Sequence, residues 1–191
     1  RAALPGVFVC TGSEVFPQIR EYTRTSTAVV NAYLSPVMGR YIERIDALFE
    51  ELGAQQPTRY FQSNGGLAPG VVMRERAVNA INSGPASAPQ AGLCVAQPFG
   101  INNVITVDMG GTSFDITLSK SGRTNFSKDT DFLRYRIGVP MIQVETLGAG
   151  GGSIAYLDDF GMLQVGPRSA GAHPGPVCYA KGGTEPTVTD A

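Results

Sequence analysis

The segment 104–118 reads VITVDMGGTSFDITL: two carboxylates, Asp108 and Asp115, bracket Gly110, Gly111, Thr112 and Ser113 inside an apolar, β-branched run. Each of these residue types suits one part of phosphate recognition. Adjacent glycines admit positive φ and let a backbone approach a ligand with no Cβ in the way. Consecutive N–H groups at such a turn form an anion-binding concavity, to which Thr112 and Ser113 add hydroxyl donors. A carboxylate beside a phosphate is repelled unless a hard cation lies between them, which makes Asp108 a Mg²⁺ partner, directly or through bound water. On spacing alone, an ordinary tight hairpin with solvated or turn-capping aspartates accounts for the string equally well.

A second glycine-rich run holds Gly148, Gly150, Gly151, Gly152 and Ser153. One reading is another close-approach loop, its amides and the Ser153 hydroxyl free for a phosphate or a substrate carboxylate. The other, which spacing alone favours, is a flexible connector before a hairpin that turns at Asp158, Asp159, Phe160 and Gly161. Beyond it the stretch 166–183, GPRSAGAHPGPVCYAKGG, is a long loop with little regular structure, of the kind that is more often functional than filler. His173 and Cys178 invite a nucleophile reading, but no partner acid or base is evident, and Arg168 or Lys181 meeting an anion is at least as plausible. No catalytic residue is assigned.

These residues need elements to position them. Residues 104–108 and 114–118 alternate as strands, and the five residues between are too few for a helix, so the quartet is the tip of a β-hairpin with Asp108 and Asp115 near its mouth. Upstream, SPVMGRYIERIDALFEELG reads as a helix capped by Ser35, with Pro36 in its first turn and Gly53 after its end. TSTAVVNAYL runs helically into it, with a bend near Pro36. Val37, Tyr41, Ile45, Leu48, Phe49 and Leu52 form an apolar face expected to pack in the core. RYFQSNGG reads as a short strand closed by a turn at Asn64, Gly65 and Gly66. A helix over 68–82 is expected to stop before Gly84-Pro85, with a weaker one following. The order is an α/β alternation, with residues 1–100 mainly helical and 101–191 carrying the hairpin and glycine-rich loops.

Composition excludes several classes. With a net charge of −1, a pI near 5.8 and scattered basic residues, the 191-residue chain lacks the footprint of a nucleic-acid binder. No apolar run approaches the roughly 18–20 residues of a membrane span. Cys10, Cys94 and Cys178 are odd in number and far apart, which argues against disulfide or zinc frameworks and for a reducing, cytoplasmic setting. The ends read as mid-element, so a piece of a longer polypeptide is expected.

VDMGGTSFDITL resembles the phosphate-binding hairpin of the acetate kinase, sugar kinase, Hsp70 and actin superfamily. More narrowly, EYTRTSTAVVNAYLSPV, QSNGG, DMGGTSFDI, ETLGAGGGSIAYLD and VGPRSAGAHPGPVCYAKGGTEPTVTDA are similar, in the same order, to landmarks of the hydantoinase A / 5-oxoprolinase family. The resemblance implies an α/β, ribonuclease-H-like ATPase lobe, with a mixed sheet and flanking helices, belonging to a larger protein. It implies an enzyme that opens a lactam or hydantoin ring with ATP hydrolysis, since phosphorylating an unreactive amide oxygen turns it into a leaving group. A ketone carboxylase subunit and a non-catalytic ATP-binding reactivation or scaffold module are the alternatives. Gly110, Gly111, Thr112 and Ser113 carry over as phosphate contacts, Asp108 as the Mg²⁺ carboxylate and Asp115 as a second polar group at the same mouth. The resemblance also favours the ligand reading of 148–153, and it implies a hydantoinase B-like subunit or C-terminal region as partner. The chain departs from the family at SGPASAP, where relatives often read SGPAAG.

Overall fold

The computed structural model describes residues 4–191 and is a mixed α/β chain built on small antiparallel sheets. It divides into two compact units, one of residues 1–91 and 123–143, the other of residues 92–122 and 144–191.

The first unit is organised by one helix, Glu21–Glu51, which runs unbroken through Ser35 and Pro36. The expected cap is therefore helix interior: the Ser35 hydroxyl donates to the Asn31 carbonyl at 2.8 Å. Proline withdraws one helical donor, and burial at Asn31, Ser35 and Ile42 on both sides of it holds the turn in place. The expected apolar face is inverted as well. Val37, Tyr41, Leu48, Phe49 and Leu52 are exposed and Ile45 is half-buried, with Tyr33 at 80%, whereas the buried residues are Thr23, Thr27, Asn31, Ser35 and Ile42.

The cause is a demand for hydrogen bonds. Asn31 donates from Nδ2 to the Glu75 carbonyl (2.8 Å) and accepts the Val78 amide at Oδ1 (3.1 Å). Thr27 accepts the Gly138 amide at 2.8 Å. Short elements end against the helix, and their backbone groups leave water only because these side chains replace it. The apolar core lies around this seam: Val78, Ile81, Ile137, Val139 and Met141 in one cluster, Ile42, Ala68 and Met73 in another.

Strands Arg59–Phe61 and Leu67–Pro69 pair antiparallel around the expected Asn64-Gly65-Gly66 turn, where Gly65 has φ +78° and a Cβ would lie 2.6 Å from Ile142 Cδ1. The single helix expected over 68–82 is instead a helix Gly70–Glu75 and a 3-10 turn Ala77–Ala80. Helical structure does end before Gly84-Pro85, at Ala80, and that pair then lies in the first turn of the next helix, Ser83–Ala96. Proline is tolerated in a first turn, where its missing N–H has no helical acceptor to reach.

In the second unit strands Val104–Met109 and Phe114–Lys120 form the expected hairpin, and Glu145–Leu147 pairs antiparallel on its far side. These pairings are antiparallel where a mixed sheet was expected: a tight turn joins the two hairpin strands, which a parallel pair could not use, and Glu145–Leu147 reaches the sheet only after the long connection 121–144. Gly92 lets the end of the Ser83–Ala96 helix approach the sheet, since a Cβ there would lie 2.5 Å from Thr106 Oγ1. Strands Ser153–Leu157 and Leu163–Ser169 make a second hairpin. Asp158 closes it by accepting the amides of Phe160 and Met162, both at 2.9 Å.

Candidate functional site

At the hairpin tip the Gly110 amide donates to the Ser113 carbonyl at 2.9 Å, closing the turn. Neither glycine of the tip has positive φ, so absence of a side chain, not left-handed backbone, is what the pair supplies. A Cβ on Gly111 would meet nothing within 4 Å. The amides of Gly111, Thr112 and Ser113 donate to no acceptor among the described residues. Three consecutive free amides at a turn are the arrangement that receives an oxyanion.

The second glycine run is docked onto this tip rather than left as a connector. Gly151 and Gly152 donate to the carbonyls of Gly110 (2.9 Å) and Gly111 (2.7 Å). A Cβ on Gly150 would lie 2.6 Å from the amide nitrogens of both Thr112 and Ser113. Thr189 holds the run from the other side, donating from its amide (2.9 Å) and its hydroxyl (2.8 Å) to the Gly151 carbonyl.

The two loops enclose a cavity of about 580 Å³ lined by Met109, Gly110, Gly111 and Thr112 from the tip and Gly151 and Gly152 from the run. Its remaining wall includes Ser169, Gly171, Tyr179 and Thr189. None of the four stands out in the sequence: Ser169, Gly171 and Tyr179 carry only the signal that the long glycine- and proline-rich loop 166–183 needs a reason, and Thr189 lies beyond that loop. Lys181 lies over the Tyr179 ring, 5.9 Å from its centroid, and Arg168 pairs with Glu185 at 2.7 Å. Neither His173 nor Cys178 lines the cavity.

The other residues singled out lie behind this surface. Ser153 is buried, and its hydroxyl accepts the Gly150 amide at 2.9 Å, so it shapes the run from within. Ser113, Gly148 and Gly150 do not line the cavity. Asp108 and Asp115 are directly opposite each other in the hairpin register, on the strand face away from Met109. Like charges so placed repel. Asp115 is relieved by the Thr146 hydroxyl at 2.6 Å, while Asp108 is exposed and unpaired among the described residues. No group of three metal-binding side chains occurs among the described residues. A Mg²⁺ ion commonly keeps several waters and takes only one or two carboxylates, so this pair fits it.

Cys178 is turned away from nucleophilic chemistry. Hydrogen bonding to the Asp190 carboxylate, with desolvation, holds its thiol above the usual range. Asp190 is held well below the usual carboxylate range, chiefly by the Cys178 amide, which donates to it at 2.7 Å. Asp190 also accepts from the Thr187 amide (2.7 Å) and hydroxyl (2.9 Å), closing a capping box.

The sequence profile described as hydantoinase/oxoprolinase matches residues 24–191. The chain belongs to that family. It is 94% identical over 191 residues to caprolactamase subunit alpha of Pseudomonas jessenii, covering all of this chain and 27% of that protein. The crystal structure of the ATP-dependent caprolactamase from Pseudomonas jessenii superposes with a TM-score of 0.82, covering 99% of this chain and 27% of that one. A nucleotide-free acetone carboxylase structure, 27% identical, superposes at 0.76 over 94% of this chain and 25% of its own. 5-Oxoprolinase 1 of Arabidopsis thaliana is 39% identical over 189 residues, 96% of this chain and 14% of that protein. The chain thus spans about a quarter of the caprolactamase subunit it matches.

Proposed function

We propose that this chain is the phosphate-binding part of an ATP-dependent enzyme that opens a cyclic amide, built on a ribonuclease-H-like lobe. The observation that carries the reading is the pair of acceptor-free amides of Gly111 and Thr112 on the wall of an open, glycine-lined cavity. Its likeness to an ATP-dependent caprolactamase supports ring opening as the coupled reaction.

The amides of Gly111 and Thr112 and the Thr112 hydroxyl hold the polyphosphate, and docking of 150–152 fixes the tip so that little reorganisation is needed. Asp108, with Asp115 beside it, would hold Mg²⁺ through bound water, and the ion would supply charge neutralisation for the phosphates. In the reaction the γ-phosphoryl group passes to the lactam oxygen and ADP departs. Water adds to the activated carbon, the C–N bond breaks with nitrogen leaving as the amine, and a second water releases inorganic phosphate. The lactam and the catalytic acids and bases are assigned to the rest of the protein and to a hydantoinase B-like partner in the cytoplasm. Likeness to acetone carboxylase favours ketone carboxylation as the second reading, and it predicts ATP hydrolysis that depends on ketone and bicarbonate instead of lactam.

Gly111→Val in the full-length protein tests the reading. A branched side chain enters space that is open in the protein, at a residue without positive φ, so the unfolding midpoint should hold while lactam-dependent ATP hydrolysis falls about a hundredfold or more. Unchanged hydrolysis would mean that the tip does not meet the nucleotide.

A further inference from the structure

The QSNGG stretch is a landmark that the phosphate site does not use, and Gln62, Ser63 and Asn64 line a second cavity, of about 590 Å³, within the first unit. Its lining is rich in donors. Arg76 and Lys128 bring two positive charges, and no carboxylate lines it. Gln62 accepts Asn79 Nδ2 at 3.1 Å, and Asn64 accepts the Gly66 amide at 2.8 Å. The acceptor ends of both carboxamides are therefore spent inside the protein, and their NH₂ groups donate to no acceptor among the described residues. Lys128 likewise has no partner there, and Arg76 spends one N–H on the Glu14 carbonyl at 3.1 Å. Donors without acceptors call for a ligand rich in acceptors.

The donors are held in place. Ser63 is buried, its single hydroxyl proton shared between the carbonyls of Asn79 and Ile81, both at 2.6 Å, while its own carbonyl accepts the Ile142 amide at 2.8 Å. The other walls are apolar. Phe16 is buried with its ring against Gly138, where a Cβ would come within 2.4 Å of it, and Val139 and Pro140 continue that wall.

We propose that this cavity binds an organic carboxylate with a short hydrocarbon body. The carboxylate is held by Lys128, Arg76 and the amides of Gln62 and Asn64, and the chain lies along Phe16 and Val139. The volume suits a small molecule, and the apolar wall favours hydrocarbon over an inorganic anion, which would leave that wall without a partner. The proposal rests on this lining alone and does not depend on the phosphate-site reading.

Calorimetric titration of the full-length protein with hexanoate tests it, with inorganic phosphate as competitor. Hexanoate should bind, and phosphate should not displace it. Lys128→Gln should raise its dissociation constant about tenfold, and Lys128→Arg should restore binding. Gln62→Glu, which places a negative charge against the ligand's own, should abolish it. Because Lys128 is exposed and unpaired, its variants should keep the parent's unfolding midpoint. Absence of hexanoate binding, binding indifferent to Lys128→Gln, or displacement by phosphate would each overturn the proposal.

Discussion

Asp190 shows how one carboxylate sets the behaviour of a loop. It accepts from the amides of Val177, Cys178 and Thr187 and from the Thr187 hydroxyl, joining the turn at 177–179 to the end of the described chain. Its folded-state pKa is depressed, so its stabilising contribution is complete above the ordinary carboxylate value of about 3.9 and drains away as pH falls from there towards the lower folded value. Asp190→Asn should lower the unfolding midpoint at pH 7 and should have a smaller effect at the lowest pH at which the parent stays folded. The same carboxylate raises the Cys178 thiol. In the parent, Cys178 should react slowly with iodoacetamide at pH 8, and Asp190→Asn should speed that reaction. A fast-reacting parent thiol would contradict the geometry.

At the scale of elements, two glycines of one run behave differently because of what lies opposite them. Gly150→Ala drives a Cβ into the backbone of the hairpin tip, whereas Gly148→Ala enters open space. Thermal unfolding should therefore show a lowered midpoint for Gly150→Ala and an unchanged or slightly raised one for Gly148→Ala, by about 0.4–1 kcal/mol at most. A freely moving connector would tolerate both equally. The long helix gives a parallel contrast. Asn31→Leu strands the Glu75 carbonyl and the Val78 amide, at about 1–3 kcal/mol for each group left unsatisfied, while Tyr33→Glu on the exposed face should shift stability by no more than about 0.5 kcal/mol. Urea unfolding of both variants checks whether the polar seam, and not the aromatic stripe, carries the helix.

For the whole molecule, the chain is about a quarter as long as the caprolactamase subunit it resembles, and on the proposed reading it contributes only the phosphate contacts of a nucleotide site. Exposed apolar side chains are numerous, among them Tyr33, Val37 and Tyr41 on the helix and Ile105 and Val107 on the hairpin. The 191-residue chain alone should hold Mg²⁺-ATP weakly, with a dissociation constant of about 1 mM or above. Isothermal titration that finds tight, Mg²⁺-dependent binding by this chain would assign it the complete nucleotide site.

What the sequence determined by itself was local. The hairpin over 104–120, the QSNGG turn and the hairpin closed by Asp158 follow from alternation and turn chemistry among neighbouring residues. Tertiary structure decided which face of the long helix is buried, because the partners of Thr27 and Asn31 arrive from Gly138, Glu75 and Val78, 111, 44 and 47 residues away. Hydropathy ranks Tyr33 above Asn31, yet it carries no information about a distant amide that has lost its water. The docking of 150–152 on 110–113 is of the same kind. The glycines were legible as places where something approaches closely, and only the folded chain decided that what approaches Gly150 is the other loop's backbone, leaving the open side to Gly111.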